Sequence, residues 1–282
     1  TQSIKELEST LETQLLERRS HSVIPTMAGA ALIKRAGTIE AELRYAQDEI
    51  RMIDGAMVGD ISVGVSPAAA IQILPEAIMS LKSSRPDVRL RLGQALYPDF
   101  LEDVRSGVFD FFVGIIPDHL NSLDTKGLNI NVISSERLQP VVRADHPLAG
   151  VKQLTLRKLA EWEWISFGPR EDQRRFFSDH FLDGNLPPPR STIETDSSNL
   201  VRGLLERSDF IAFLPHQFLT SGPEGSELVE LSVDDTIRAW EFAIIKRENN
   251  LLPPLTRMLI TEIERASSAN SRQSSIPVIE KK

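Results

Sequence analysis

The chain of 282 residues contains no cysteine, which excludes disulfides, thiolate metal sites and thiol-based redox sensing. No apolar run approaches the length of a membrane span, and Thr1 opens no basic-then-apolar leader, so neither a membrane nor export is expected and the cytoplasm is the expected compartment. Positive charge is in short supply: 32 Lys and Arg stand against 40 Asp and Glu, for a net charge of −8. A general nucleic-acid coat is thereby excluded, because phosphate binding needs a basic face. A small local basic site is not excluded. Residues 1–35 carry Lys5, Arg18, Arg19, Lys34 and Arg35 against Glu6, Glu8, Glu12 and Glu17, so this end is near neutral while the acid excess lies elsewhere. Also missing are a nucleophile elbow, a Gly-Lys-Ser phosphate loop and an HExxH pair, which leaves an enzymatic reading without a motif and predicts no catalytic residue, metal or cofactor. The five histidines, His21, His119, His146, His180 and His216, are scattered. His146, in Asp145-His146-Pro147, reads as a turn residue rather than a base.

What is present is organised. The length exceeds one typical core, so two or more domains are expected. In the opening run, Ile4, Leu7, Leu11 and Leu15 recur at spacings of three and four and fall on one helical face, leaving Thr1, Gln2 and Lys5 on the other. Arg18, Arg19, Ser20, His21 and Ser22 then form a polar, basic stretch suited to a hairpin tip, and arginines at such a tip reach phosphates or a narrow minor groove. An amphipathic surface helix with solvated charges is the other reading of this segment.

Thr26 is a candidate N-cap for a helix reaching about Asp54. Within it Leu32, Ile39, Leu43, Ala46, Ile50 and Ile53 follow one another at spacings of seven, four, three, four and three, a heptad seam of the kind that pairs helices. Packing of this helix on its own domain remains an alternative, because the seam is shorter than a secure coiled coil. Residues 55–59 read as a flexible joint.

Beyond the joint the elements alternate. Strands are expected at 60–66, 88–92 and 109–115, with helices at 71–81 and 98–105 between them. A second set follows, with strands at 138–143, 164–167, 191–195 and 210–214 and helices near 154–159, 175–181 and 199–207. Strands separated by helices argue for parallel sheets covered on both faces, and two such sets argue for two α/β lobes. Further strands at 228–231 and 239–246 and a helix at 253–266 close the chain, and the Ser-, Asn- and Gln-rich tail 267–282 is expected to be disordered.

IKELESTL, LLERR, SHSV and PTMAG at the amino terminus resemble the recognition helix, LFERR, wing and LTxAG of LysR-type transcriptional regulators, with Leu16 for Phe and Pro25 for Leu. GDISVGVSP, LPEAIMSLKSSRPDVRL, LEDVRSGVFDFFVGI and RADHPLA continue the resemblance over nearly the whole chain. It implies a partial winged helix-turn-helix at 1–26, with the helices before Thr1 lying outside this sequence. It further implies a linker and dimerisation helix at 27–58 and an effector-binding domain at 59–266. That domain would consist of two Rossmann-like α/β lobes of the periplasmic-binding-protein type, lobe one at about 59–132 and 237–266 and lobe two at about 133–236, with hinge crossings near 132 and 236. Implied partners are double-stranded promoter DNA, a small-molecule effector such as an organic acid, aromatic acid or sugar derivative, a second copy in a homodimer or homotetramer, and RNA polymerase. The DNA-contacting residues would be Thr1, Gln2, Lys5, Arg18, Arg19, His21 and Ser22, and the six seam residues would dimerise. A free solute-binding protein with the same two lobes is the alternative; it would be a monomer.

Ligands of open α/β sheets gather at the carboxyl ends of strands, beside helix amino termini. Four such turns are nameable: Ser66-Pro67, Tyr97-Pro98, Phe167 to Arg170, and Ser197-Ser198, with Pro215 at a strand exit toward the hinge. Ser66 is the first candidate to hydrogen-bond an effector, and Arg170 could grip a carboxylate. Capping alone explains the serines equally well, and a surface pair with Glu171 or Asp172 explains Arg170.

Overall fold

The computed structural model describes residues 2–19, 22–53, 58–71, 73–116, 125–168, 171–220, 227–235, 237 and 239–273. At the amino terminus α1 (Gln2–Thr10) is followed by a hairpin of β1 (Leu16–Arg19) and β2 (Ser22–Pro25), and then by the long α2 (Met27–Ile53). The helix α1 stops short of Leu15, contrary to the apolar spacing. Glu12 takes φ +50, and the Glu8 carboxylate accepts the Leu15 and Leu16 amides at 2.8 and 3.2 Å, so a side chain takes over N–H groups that would otherwise bond within a helix. The hairpin pairs Leu16 with Pro25 and Arg19 with Ser22. Thr26 caps α2 as expected, its Oγ1 accepting from Gly29 N–H at 3.0 Å.

The remaining elements are β3 (Asp60–Val65), α3 (Pro67–Ile71), α4 (Ile73–Ser84), β4 (Arg89–Gln94), α5 (Asp99–Arg105), β5 (Phe111–Ile116) and β6 (Leu128–Arg143). There follow α6 (Leu156–Leu159), β7 (Trp164–Phe167), α7 (Glu171–Leu182), β8 (Ser191–Thr195), α8 (Ser198–Leu205), β9 (Ala212–Pro215) and α9 (Gln217–Thr220). The chain closes with β10 (Leu228–Glu230), β11 (Ala239–Arg247) and α10 (Pro254–Gln273).

One sheet runs through both lobes in the order β10-β6-β11-β5-β3-β4, with β9 also paired to β6. Its strands are mixed in direction rather than all parallel. β3 pairs in parallel with β4 and β5, but β11 runs antiparallel to both β5 and β6. The antiparallel members arise because the chain returns from the second lobe to finish the first. The strand β6 carries the outward crossing: residues 128–137 pair with β11, and residues 138–143 pair with β9 and β10. Its first half was not anticipated from sequence. The expected return crossing at Thr236 lies outside the described residues.

Alternation along the strands explains the layering. Phe111, Val113, Phe242 and Ile244 point to the face covered by α4 and α10, while Phe112, Ala243 and Ile245 point to the face covered by α5. Both faces are buried, so these strands read as continuous apolar runs. In the second lobe Trp164 is packed by Phe177, Phe181 and Phe213, with ring centroids 4.7–5.4 Å away. The last helix does not end where the tail was expected to become disordered. It continues to Gln273, and Ser267, the first residue of the expected tail, is buried with its hydroxyl donating to the Ile133 carbonyl at 3.4 Å. Residues 274–282 lie outside the described part.

Candidate functional site

Where the lobes face each other they form a half-open hollow of about 130 Å³. Ser66, Pro67, Tyr97, Phe167, Ser198 and Pro215, drawn from five separate turns and strand ends, all line it. The turn at Ser66 shows how the fold positions one of them. β3 ends at Val65, Pro67 starts α3 with a preset φ, and between them Ser66 N–H donates to the Val113 carbonyl at 3.0 Å. Its Oγ accepts from Ala69 N–H at 3.3 Å, so Ser66 caps α3 and also faces the hollow. Gly114 makes this possible, since a Cβ there would stand 2.3 Å from the Ser66 side chain.

Two named residues, Ser197 and Pro98, fall elsewhere. Ser197 is exposed and caps α8, accepting from Leu200 N–H at 3.3 Å, and it lines the outer mouth together with Gln94, Asp99, Asp196 and Asn199. Pro98 opens α5, half-buried, and is not among the lining residues. Arg170 lies outside the described residues, as does Pro169. Across the mouth Gln94 Nε2 donates to the Asp196 carbonyl at 3.1 Å, joining the lobes.

Sequence reasoning missed much of the wall: Phe112 of β5, Leu138 of β6, Phe213 of β9 and Phe218 of α9. Each sits in an apolar run and carries no local mark that separates a wall of the hollow from the core behind it. Phe112 stacks on Phe100 at 3.9 Å, and Phe213 stacks on the His180 ring at 4.0 Å, so the walls are the outer surfaces of the two lobe cores. His146 is held in a turn, its Nε2–H donating to the Asp209 carbonyl and its Nδ1 accepting from Leu148 N–H. Burial lowers its pKa.

The helix α2 has two faces. One is docked on lobe one: Gly37 lets it approach so closely that a Cβ would lie 2.4 Å from the Ser106 carbonyl. Beside it the fully buried Asp110 accepts from Arg44, from Tyr45 Oη at 2.7 Å and from Ser62 N–H at 2.8 Å. Arg247 reaches Tyr45 Oη and Glu42, each at 3.3 Å. The opposite face carries the seam residues Ile39, Leu43, Ile50 and Ile53, exposed by 67, 59, 59 and 84%, with Ala46 also exposed and Leu32 partly so. Packing on its own domain and an outward apolar seam are therefore both present, on different faces.

Of the residues expected at DNA, Gln2 and Lys5 are exposed on α1, Ser22 is exposed at the hairpin, and Arg19 is exposed with its Nε 3.5 Å from Glu17. A surface pair of that length is worth little. Arg18 is placed in β1 opposite Val23, while Thr1 and His21 lie outside the described residues. Among the described residues no group of acidic or histidine side chains could hold a metal ion, and no helix is long and apolar enough to cross a membrane.

Comparison with known proteins places this geometry. The family described as the LysR substrate binding domain matches residues 54–268. The regulator GbpR of Azospirillum brasilense is 27% identical over 271 residues, covering 95% of this chain and 78% of its own. Full-length OxyR of Pseudomonas aeruginosa superposes with a TM-score of 0.69 at 17% identity, covering 94% of this chain and 83% of that one. CbnR, solved with its target DNA, gives a TM-score of 0.64 at 20% identity, with 94% and 88% covered.

Proposed function

Because the chain belongs to the LysR substrate binding domain family and is a LysR-type transcriptional regulator, we propose that it reads promoter DNA through its amino-terminal hairpin and is switched by a small molecule held between its lobes. The observation that carries this reading is that the hollow is walled jointly by both lobes. An occupant touching both lobes binds their closed arrangement better than an open one, and only such unequal binding can shift a conformational equilibrium. The relatives are regulators rather than enzymes, and CbnR is solved on its target DNA. The free solute-binding alternative has no such support, and it leaves the hairpin and the outward seam of α2 unused.

In this reading the seam of α2 joins copies into a homodimer or homotetramer, and the hairpins reach the duplex in the cytoplasm, where RNA polymerase is the downstream partner. One small effector, an organic acid, an aromatic acid or a sugar derivative, enters at the mouth and meets Ser66 and Ser198.

The wing assignment is tested by changing Arg18 and Arg19 together to Ala in the complete polypeptide and titrating double-stranded promoter DNA at several salt concentrations. If each arginine neutralises one phosphate, the slope of log affinity against log salt falls by about 0.9 for each, close to two in total. An unchanged slope removes the hairpin from the DNA interface.

A further inference from the structure

We infer that the occupant of the inter-lobe hollow is a ring-sized, largely apolar molecule with a single small polar head, and not a sugar, another polyol or a polycarboxylate. This rests on the reading of that hollow as the effector site and narrows it.

The chamber is the meeting of two cores. Phe112 comes from the α5 side of lobe one, Phe167 and Phe218 from the outer core of lobe two, and Phe213 from the Trp164 cluster. Against these rings the polar lining is three hydroxyls, those of Ser66, Tyr97 and Ser198, and no Lys, Arg, His, Asp or Glu lines the chamber among the described residues. A hexose entering it would strip water from more hydroxyls than three side chains can answer, and each one left unmatched weakens binding by roughly tenfold or more. A flat ring instead meets edges and faces of phenyl groups, the geometry in which aromatic pairs attract.

Charge points the same way. The mouth carries the exposed side chains of Asp99 and Asp196, with Gln94, Ser197 and Asn199 between them, and no basic group among the described residues there. A polycarboxylate would have to pass two carboxylates of its own sign at the mouth and then meet a chamber whose described side chains are apolar but for three hydroxyls. One head group is a different matter. Ser66 Oγ accepts from Ala69 N–H, which leaves its hydroxyl proton to donate, and a single acceptor on the ligand can take it.

The test uses the full chain and N-phenyl-1-naphthylamine, an uncharged apolar fluorophore of suitable shape. The expected result is saturable, blue-shifted emission at one probe per chain, displaced by indole or benzyl alcohol and unaffected by galactose or citrate at the same concentration. Ser198→Trp puts an indole at the inner edge of the mouth from a partly exposed helical position and should weaken the probe at least tenfold, with the melting temperature unchanged. Ala68→Trp, on the lobe-one wall of the chamber, is the second blocking variant. Absence of saturable emission overturns the inference, and so does probe binding that neither variant weakens. Displacement by galactose or citrate but not by the ring compounds overturns the apolar class while leaving the hollow as a ligand site. Displacement by none of the four, with emission still lost in Ser198→Trp, supports the apolar chamber and removes the single-head requirement.

Discussion

Asp110→Ala is expected to destabilise the chain by about 3–5 kcal/mol, the range seen when one partner of a buried ion pair is removed. Asp110 is fully buried and its carboxylate accepts from Arg44, Tyr45 Oη and Ser62 N–H. Deleting it leaves a half-buried guanidinium, a buried phenol and a backbone amide without their acceptor. For a chain of this size each kcal/mol moves the melting temperature by roughly 2–4 °C, so calorimetry should show a fall of roughly 10 °C. Asp110→Asn keeps an acceptor for Ser62 and Tyr45 but loses the charge, and should fall between wild type and alanine. A loss under about 1 kcal/mol would mean that α2 is not held to lobe one by this network, since a single ordinary hydrogen bond contributes that much. The same network has an alkaline signature. Burial and the Asp110 charge push the Tyr45 hydroxyl from 10.0 up to about 12, with Arg247 opposing. The folded pKa lies above the unfolded one, so the stability contributed is complete below pH 10 and is lost between about pH 10 and 12.

The second large effect is on assembly. Ile39→Asp with Leu43→Asp should raise the dimer dissociation constant by roughly a hundredfold or more, because each carboxylate would be buried unpaired in the seam and every tenfold corresponds to about 1.4 kcal/mol. Light scattering at micromolar concentration should then report a monomer. Both residues are more than half exposed in the single chain, so folding is untouched and the melting temperature of the monomer serves as the control. A dimer that survives the double change places the interface elsewhere.

The two faces of α2 also show what a sequence can and cannot reveal. The outward seam was legible because heptad spacing is local information. The docked face was not, because Asp110 and Arg247 lie 65 and 202 residues from Tyr45 and nothing near Tyr45 marks it as their partner. The hairpin of β1 and β2 and the extents of β7 and β8 followed from short apolar or polar runs bounded by turn residues. The first half of β6 did not, because Asn129, Asn131, Ser134 and Ser135 dilute its apolar pattern, and its pairing comes from β11, more than a hundred residues later. The cleft was half legible. Turn residues at strand ends marked Ser66, Tyr97, Phe167 and Ser198, while the phenylalanines opposite them were indistinguishable from core until the two lobes were brought together.

The most direct measurement is hydrogen–deuterium exchange on the full chain with and without the tightest binder among the ring compounds. Slowed exchange is expected on both sides of the cleft at once, at residues 66–71 and 94–97 in lobe one and at 195–199 and 213–218 in lobe two. Protection confined to one lobe, or falling on the amino-terminal hairpin instead, is incompatible with a ligand that switches this regulator by bridging its lobes.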